Sequence, residues 1–138
     1  MEWYKDGMYP EWHISGEDFS PKELLHHFPF LILGRTHEKT DIGKLGPSKG
    51  KEYGYGSTVI VVDDSIIFKL DWLLDFILEN GQKIRNLGVK EELLWLVWWG
   101  IQGNMELDKK LLTKIAKTEL NMAMNYYYIN GKWEFFNI

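Results

Sequence analysis

The chain contains no cysteine, and this absence excludes several chemistries at once. Without thiols the protein forms no disulfide bond, offers no thiolate nucleophile and ligates no zinc through sulfur. No serine lies in a nucleophile-elbow sequence, and no two histidines have the i, i+4 spacing that places two imidazoles on one helix face. We therefore expect a protein that is not an enzyme, with no catalytic residue, no metal and no cofactor.

Long hydrophobic runs are missing as well. The longest, residues 93–99, is far shorter than the roughly 20 apolar residues that a membrane-spanning helix needs. The first residues do not combine a basic start with an apolar run, so the sequence does not predict a signal peptide. We expect a cytoplasmic protein that makes no contact with a membrane.

Basic residues are in the minority. The chain has 16 lysines and arginines but 20 aspartates and glutamates, which gives a formal net charge of -4. A nucleic-acid binder needs clustered cations against the phosphate backbone, so this balance argues against nucleic acid as a partner. An acidic protein attracts a basic partner more readily.

Aromatic residues are abundant: they make up 15% of the chain, with seven each of Trp, Tyr and Phe. Such large side chains either fill the core or form a binding patch. Residues 92–99 predict a central strand, in which alternation places Trp95 and Trp99 on one face and Trp98 on the other. An uncovered tryptophan there would anchor an interface, with another protein or with a second copy of the chain.

The remaining pattern predicts strands that alternate with helices. Ser20, Pro21 and Glu23 have the spacing of a helix start, and Asp108 is placed to cap a later helix. Pro10 predicts that the first strand lies at a sheet edge or begins after the proline. Asn130-Gly131 predicts a C-terminal β-hairpin. Together these signals predict a single α+β domain over residues 1–138, a two-layer α/β sandwich with helices on one face of a mixed or antiparallel sheet.

Residues 34–56 contain six glycines and show neither helical nor alternating periodicity. They predict a long mobile loop, and long loops in compact domains often carry function. The alternative functional hypothesis therefore places a pocket under this loop. It would make the protein a ligand-binding or metal-dependent hydrolytic domain that uses His26, His27 or His37.

Two segments carry a resemblance to a known family. Residues 16–23, reading GEDFSPKE, and residues 104–108, reading NMELD, with Leu111, Leu112 and Leu120 after them, resemble the small, mostly bacterial proteins known as domain of unknown function 4279. The resemblance implies a ferredoxin-like architecture and no established enzyme activity. It also makes a toxin-neutralising immunity protein plausible.

The sequence thus favours a non-enzymatic protein-binding domain, most concretely an immunity protein that occludes a cognate, basic toxin. Carboxylates would steer the approach of the toxin, and exposed aromatic residues would form the desolvated centre of the contact. The candidate carboxylates are Glu17, Asp18, Asp63, Asp64, Asp71 and Asp75, and the candidate aromatic residues are Trp95, Trp98 and Trp99.

Overall fold

The computed structural model describes residues 8–100 and 106–128. Within these ranges the elements follow one another as β1 (Met8–Gly16), α1 (Pro21–His27), β2 (Ile32–Leu33), β3 (Gly56–Val61), α2 (Lys69–Arg85), β4 (Glu91–Gly100), α3 (Lys109–Thr118) and β5 (Met122–Tyr128). The predicted hairpin at Asn130-Gly131 lies outside the described residues.

The strands form one mixed sheet in the order β2-β3-β1-β4-β5. β1 runs antiparallel to both β3 and β4, β2 runs antiparallel to β3, and β5 runs parallel to β4. The elements from β1 to β4 therefore have the β-α-β-β-α-β order and the β4-β1-β3-β2 arrangement of a ferredoxin-like fold. α3 and β5 extend it by a parallel crossover unit, and the predicted two-layer α+β sandwich is confirmed.

The hydrophobic core lies between the helices and one face of the sheet, which we call the inner face. Trp12 and Ile14 of β1, Ile60 of β3, and Leu94 and Leu96 of β4 are at most 2% exposed on this face. They alternate with less buried residues, as the two-residue period of a strand requires. The core is completed from the helices by residues that include Leu24, Leu73, Leu74, Ile77 and Ile84.

The start of α1 shows how the chain uses its capping signal. The Ser20 side chain accepts the Glu23 N–H at 3.4 Å, and Pro21 occupies the first turn, as predicted. The Ser20 hydroxyl, however, donates to Glu38 Oε1 at 2.7 Å, and Glu38 Oε2 accepts the Lys22 N–H at 3.0 Å. A carboxylate from a distant segment thus caps the helix, a role that the local pattern assigns to Glu23.

The prediction that β1 lies at an edge or begins after Pro10 is wrong, because β1 is the central strand and begins at Met8. β3 is paired with β1 only as far as Val61, which lies opposite Glu11. Pro10 therefore lies just beyond the end of β3 and pairs only with β4. A proline is tolerated in this central strand because the neighbouring ladder has ended where it occurs.

Residues 34–56, predicted to be a long mobile loop, form turns, isolated bridges and one short 3₁₀ turn (Gly46–Ser48) between β2 and β3, tied together by hydrogen bonds. His37 and Ser57 exchange backbone hydrogen bonds of 3.0 and 2.9 Å, and the Tyr53 N–H donates to the Asp41 carbonyl at 3.0 Å. The His37 ring stacks on Tyr53 with centroids 3.6 Å apart. The pairing is interrupted by turns, including one at Gly54 with φ of 80°, so the segment shows no two-residue period in the sequence.

Candidate functional site

The sheet face opposite the helices is the first candidate surface, and we call it the open face. Its centre consists of three cross-strand pairs between β1 and β4: Tyr9 opposite Val97, Glu11 opposite Trp95, and His13 opposite Leu93. Ile32, Val61 and Val59 extend it on one side and Ala123 and Asn125 on the other. The described helices pack against the inner face, so none of them covers these side chains, although Val59 is itself only 8% exposed.

Three side chains interact at the centre of the open face. His13 Nε2 lies 2.9 Å from Glu11 Oε1, and the His13 ring lies 5.0 Å from the Trp95 ring at a tilt of 40°. Trp95 Nε1 is buried and has no hydrogen-bond acceptor among the described residues. A buried donor without an acceptor is costly, so Trp95 contributes less to stability than its burial alone would give.

The charge of the open face is acidic. Glu11 and Glu91 lie at outward positions of β1 and β4, and Asp63-Asp64 follow the end of β3. The outward strand positions of the described ranges carry no lysine or arginine. The surface therefore combines aromatic and aliphatic contact area with a field that attracts cations.

A cavity of about 590 Å³ opens where β3 separates from β1. We call it the notch. It exists because the β1–β3 ladder ends at the Glu11–Val61 pair, while β1 continues beside β4 alone. The lining residues are Tyr9, Pro10, Glu11, Ile32, Val61, Val62, Asp63, Asp64, Lys69 and Val97.

Lys69 is the most unusual residue of the notch, because it is only 6% exposed. Its Nζ donates to the Ile66 carbonyl at 2.9 Å and lies 5.9 Å from the centroid of the Tyr9 ring. A lysine ammonium has three donors and is seldom buried without an anionic partner. No carboxylate of the described residues lies within 4.0 Å of this ammonium, so it forms no direct ion pair there, and the nearby Asp63 acts on it only at longer range.

Asp63 stays ionised at the rim of the notch. Its carboxylate accepts the Ser65 N–H at 2.9 Å, and the hydrogen bonds from Ser65 lower the pKa of Asp63 below its ordinary value. The nearby charge of Lys69 lowers this pKa further. The notch therefore carries both a fixed negative charge and a nearly buried positive one.

The predicted carboxylates do not form one acidic patch. Glu17 and Asp18 are exposed in the turn after β1, whereas Asp63 and Asp64 lie beyond the other end of that strand. The seven residue steps from Tyr9 to the end of β1 separate the two pairs by roughly 23 Å. Only the second pair adjoins the open face.

Asp71 and Asp75 lie elsewhere, on α2, and are compensated within the molecule. Each accepts a hydrogen bond of 2.8 Å from Lys114 Nζ of α3. The Asp71 bond and then the Asp75 bond raise the pKa of Lys114, which remains charged. These two aspartates join two helices, so they are weaker candidates for partner contact than Asp63 and Asp64.

The three tryptophans fall on both faces, as alternation predicts. Trp95 is half-buried on the open face, whereas Trp98 is 5% exposed on the inner face, 4.9 Å from the Tyr126 ring. The backbone of Trp99 belongs to β4, but its side chain lies outside the described part. Only Trp95 is thus placed by the structure in the candidate surface.

The histidines of the alternative hypothesis do not come together. His26 and His27 are exposed on α1 with ring centroids 5.8 Å apart, and His37 stacks on Tyr53. Residues 8–100 and 106–128 contain no group of three His, Asp or Glu side chains placed to hold a metal ion. The notch takes no lining residue from 34–56, so the structure places its cavity away from the predicted one.

Sequence reasoning missed Tyr9, Glu11, His13 and Lys69. The first three alternate along β1 and could have been assigned to one face from the two-residue period alone. Lys69 carries no such signal. Its burial follows from the meeting of the start of α2 with the end of β3, which the linear pattern does not contain.

No family model, curated protein or solved structure shows significant similarity to the chain. The resemblance to domain of unknown function 4279 therefore stays a prediction. Among the helices of the described ranges, none has both the length and the apolar composition that crossing a bilayer requires.

Proposed function

We propose that this protein is a non-enzymatic binding domain whose open face receives a basic partner protein. The observation that carries the proposal is the row formed by Tyr9, Trp95 and Val97, which the described helices leave uncovered. Protein interfaces are enriched in aromatic residues, as this row is. The charges beside it are acidic, and this supports a basic partner.

The two kinds of side chain have different roles in the proposed contact. Asp63 and Asp64 at one end of the open face, together with Glu11, raise the rate of encounter with a cationic surface. Tyr9, which is 39% exposed, and Trp95 supply large contact areas that lose little conformational entropy on binding.

The more specific form of the proposal is an immunity protein that binds and occludes a cognate bacterial toxin. This form rests on the family resemblance together with the acidity of the open face. A toxin that acts on nucleic acid or another anion carries a basic cleft, and an acidic surface complements it. Inhibition by occlusion requires no covalent step and no cofactor.

Co-expression with the product of the adjacent gene tests the proposal. We expect the two proteins to co-purify and the adjacent product to lose its toxicity. Tyr9→Lys should disrupt the complex, because it places a cation at the centre of the contact. Leu112→Lys is the matched control: Leu112 is 49% exposed on α3, in the helical layer opposite the open face.

Three outcomes would contradict the proposal. The first is the absence of any complex and of any protection from toxicity. The second is equal loss of binding in the Tyr9 and Leu112 variants, which would move the contact away from the open face. The third is a homodimer that light scattering detects and that Tyr9→Lys dissociates, because the open face would then receive a second copy of this chain.

A further inference from the structure

We propose that the notch is a binding site for short apolar peptides with free termini, in which Lys69 receives the peptide carboxylate. This inference does not depend on a protein partner at the open face. It rests on the cavity, on the burial of Lys69 and on the arrangement of acidic and apolar residues around it.

The notch has the size of a ligand site. Its volume of about 590 Å³ lies within the range of roughly 300 to 1,000 Å³ typical of small-molecule pockets. The fold itself creates the cavity, because β3 diverges from β1 there and Pro10 has no N–H with which another strand could pair.

Lys69 supplies the anion-binding group. The Lys69 side chain is largely buried, and among the described residues its ammonium donates one hydrogen bond, to the neutral carbonyl of Ile66. A carboxylate in the notch would accept from the two remaining donors and compensate the charge, through charge-assisted hydrogen bonds that are about twice as strong as neutral ones. The Ile66 bond meanwhile keeps the ammonium directed at one position.

The acidic residues restrict which anions fit. Glu11, Asp63 and Asp64 line the same cavity, so a phosphate or another polyanion would meet repulsion there. A molecule with a single carboxylate and an ammonium at its other end fits both charges of the site. Asp63 is suited to receive that ammonium, because its hydrogen bond from Ser65 keeps it ionised.

The remaining lining residues are apolar, so they favour a ligand that is apolar between its two charged ends. Pro10, Ile32, Val61, Val62 and Val97 present aliphatic surface, and Tyr9 adds an aromatic ring. Apolar side chains would be buried against these residues at a gain of roughly 25 cal/mol for each Å² removed from water. A dipeptide of large aliphatic residues combines the carboxylate, the ammonium and the apolar body.

Leucyl-leucine is the probe, and its two blocked analogues are the controls. The affinity of the purified protein is measured by calorimetry, and the site is located from the amide resonances of ¹⁵N-labelled protein. We expect leucyl-leucine to shift the resonances of Val61, Asp64 and Lys69. Leucyl-leucine amide, which has no carboxylate, should bind at least about tenfold more weakly, and N-acetyl-leucyl-leucine, which has no ammonium, should also bind more weakly.

Two lysine variants assign the carboxylate contact. Lys69→Met keeps most of the aliphatic stem and removes the charge, and we expect it to weaken leucyl-leucine binding at least about tenfold. Lys83→Met, an exposed position on the same helix, should leave the affinity unchanged. Asp63→Asn should lower the affinity for leucyl-leucine and have little effect on the affinity for N-acetyl-leucyl-leucine.

The inference is overturned if leucyl-leucine causes no shifts near the notch at millimolar concentration, or if the amide binds as well as the free carboxylate. Equal binding of the N-acetyl analogue would overturn the placement of the ammonium at Asp63. The analogues are compared on the unaltered protein, so the result stands even if Lys69→Met fails to fold.

Discussion

Replacing Trp12 and Trp95 by alanine in separate variants should have very different effects on stability. The two residues belong to adjacent strands, since Trp95 lies opposite Glu11, but they point to opposite faces of the sheet. Trp12 is fully buried and packs edge-to-face on Phe76 with centroids 6.5 Å apart. Trp95 is half-buried on the open face.

The burial of each residue gives the magnitude. A tryptophan buries 150 to 250 Å², so Trp12 contributes roughly 5 kcal/mol at about 25 cal/mol per Å², and Trp95, which keeps a minor part of its surface exposed, contributes roughly 3.5 kcal/mol. Both indole nitrogens are buried without an acceptor among the described residues, so each deletion recovers about 1 kcal/mol. Trp12→Ala also leaves a closed cavity. We therefore expect losses of about 4 kcal/mol or more for Trp12→Ala and about 2.5 kcal/mol for Trp95→Ala.

Urea denaturation followed by circular dichroism measures both losses without relying on tryptophan fluorescence. The m-values of the two variants should agree with that of the unaltered protein, so that the midpoints can be compared directly. Equal losses in the two variants would refute the reasoning, because Trp95 would then be a core residue and would not be available for a partner.

Three further predictions concern the fold and its charges. Gly88→Ala should cost at least about 2 kcal/mol in thermal denaturation, because φ is 108° and a β-carbon would crowd the Asp18 carbonyl. Gly46 has φ of 71°, but an added β-carbon would meet open space, so Gly46→Ala should lower the unfolding free energy by only about 1 kcal/mol. A larger loss for Gly46→Ala than for Gly88→Ala would contradict this reasoning. Glu38→Ala should speed hydrogen exchange at the start of α1 and lower the free energy of unfolding by about 1 kcal/mol, and unchanged exchange there would show that Glu38 does not cap the helix. The folded state lowers the pKa of Asp63, so the ionised carboxylate stabilises the fold fully above about pH 4, and this stabilisation is lost as the pH falls through the folded-state pKa. The difference in unfolding free energy between the unaltered protein and Asp63→Asn should therefore shrink in acid. A difference that stays constant with pH would contradict this prediction.

The features that the sequence predicts correctly are local ones. Ser20 and Asp108 cap helices because an N-cap depends on residues three positions apart. Trp95 and Trp98 lie on opposite faces because a strand alternates its side chains. These signals involve neighbours in the chain, so they can be recognised before the fold is known.

The features that were missed depend on contacts between distant segments. Glu38 caps a helix 16 residues earlier in the chain, and Lys114 joins Asp71 across 43 residues. The notch needs the end of β3, the start of α2 and the middle of β1 in one place. Composition and periodicity contain no information on which distant segments come together, and the candidate site is built mostly from such long-range contacts.

Hydroxyl-radical footprinting of the complex with the adjacent gene product tests the central claim most directly. If the open face receives the partner, Tyr9 and Trp95 should be modified several-fold more slowly in the complex, while Leu112 on α3 keeps its rate. Unchanged rates at Tyr9 and Trp95 in a verified complex, or protection confined to Leu112, would contradict the account.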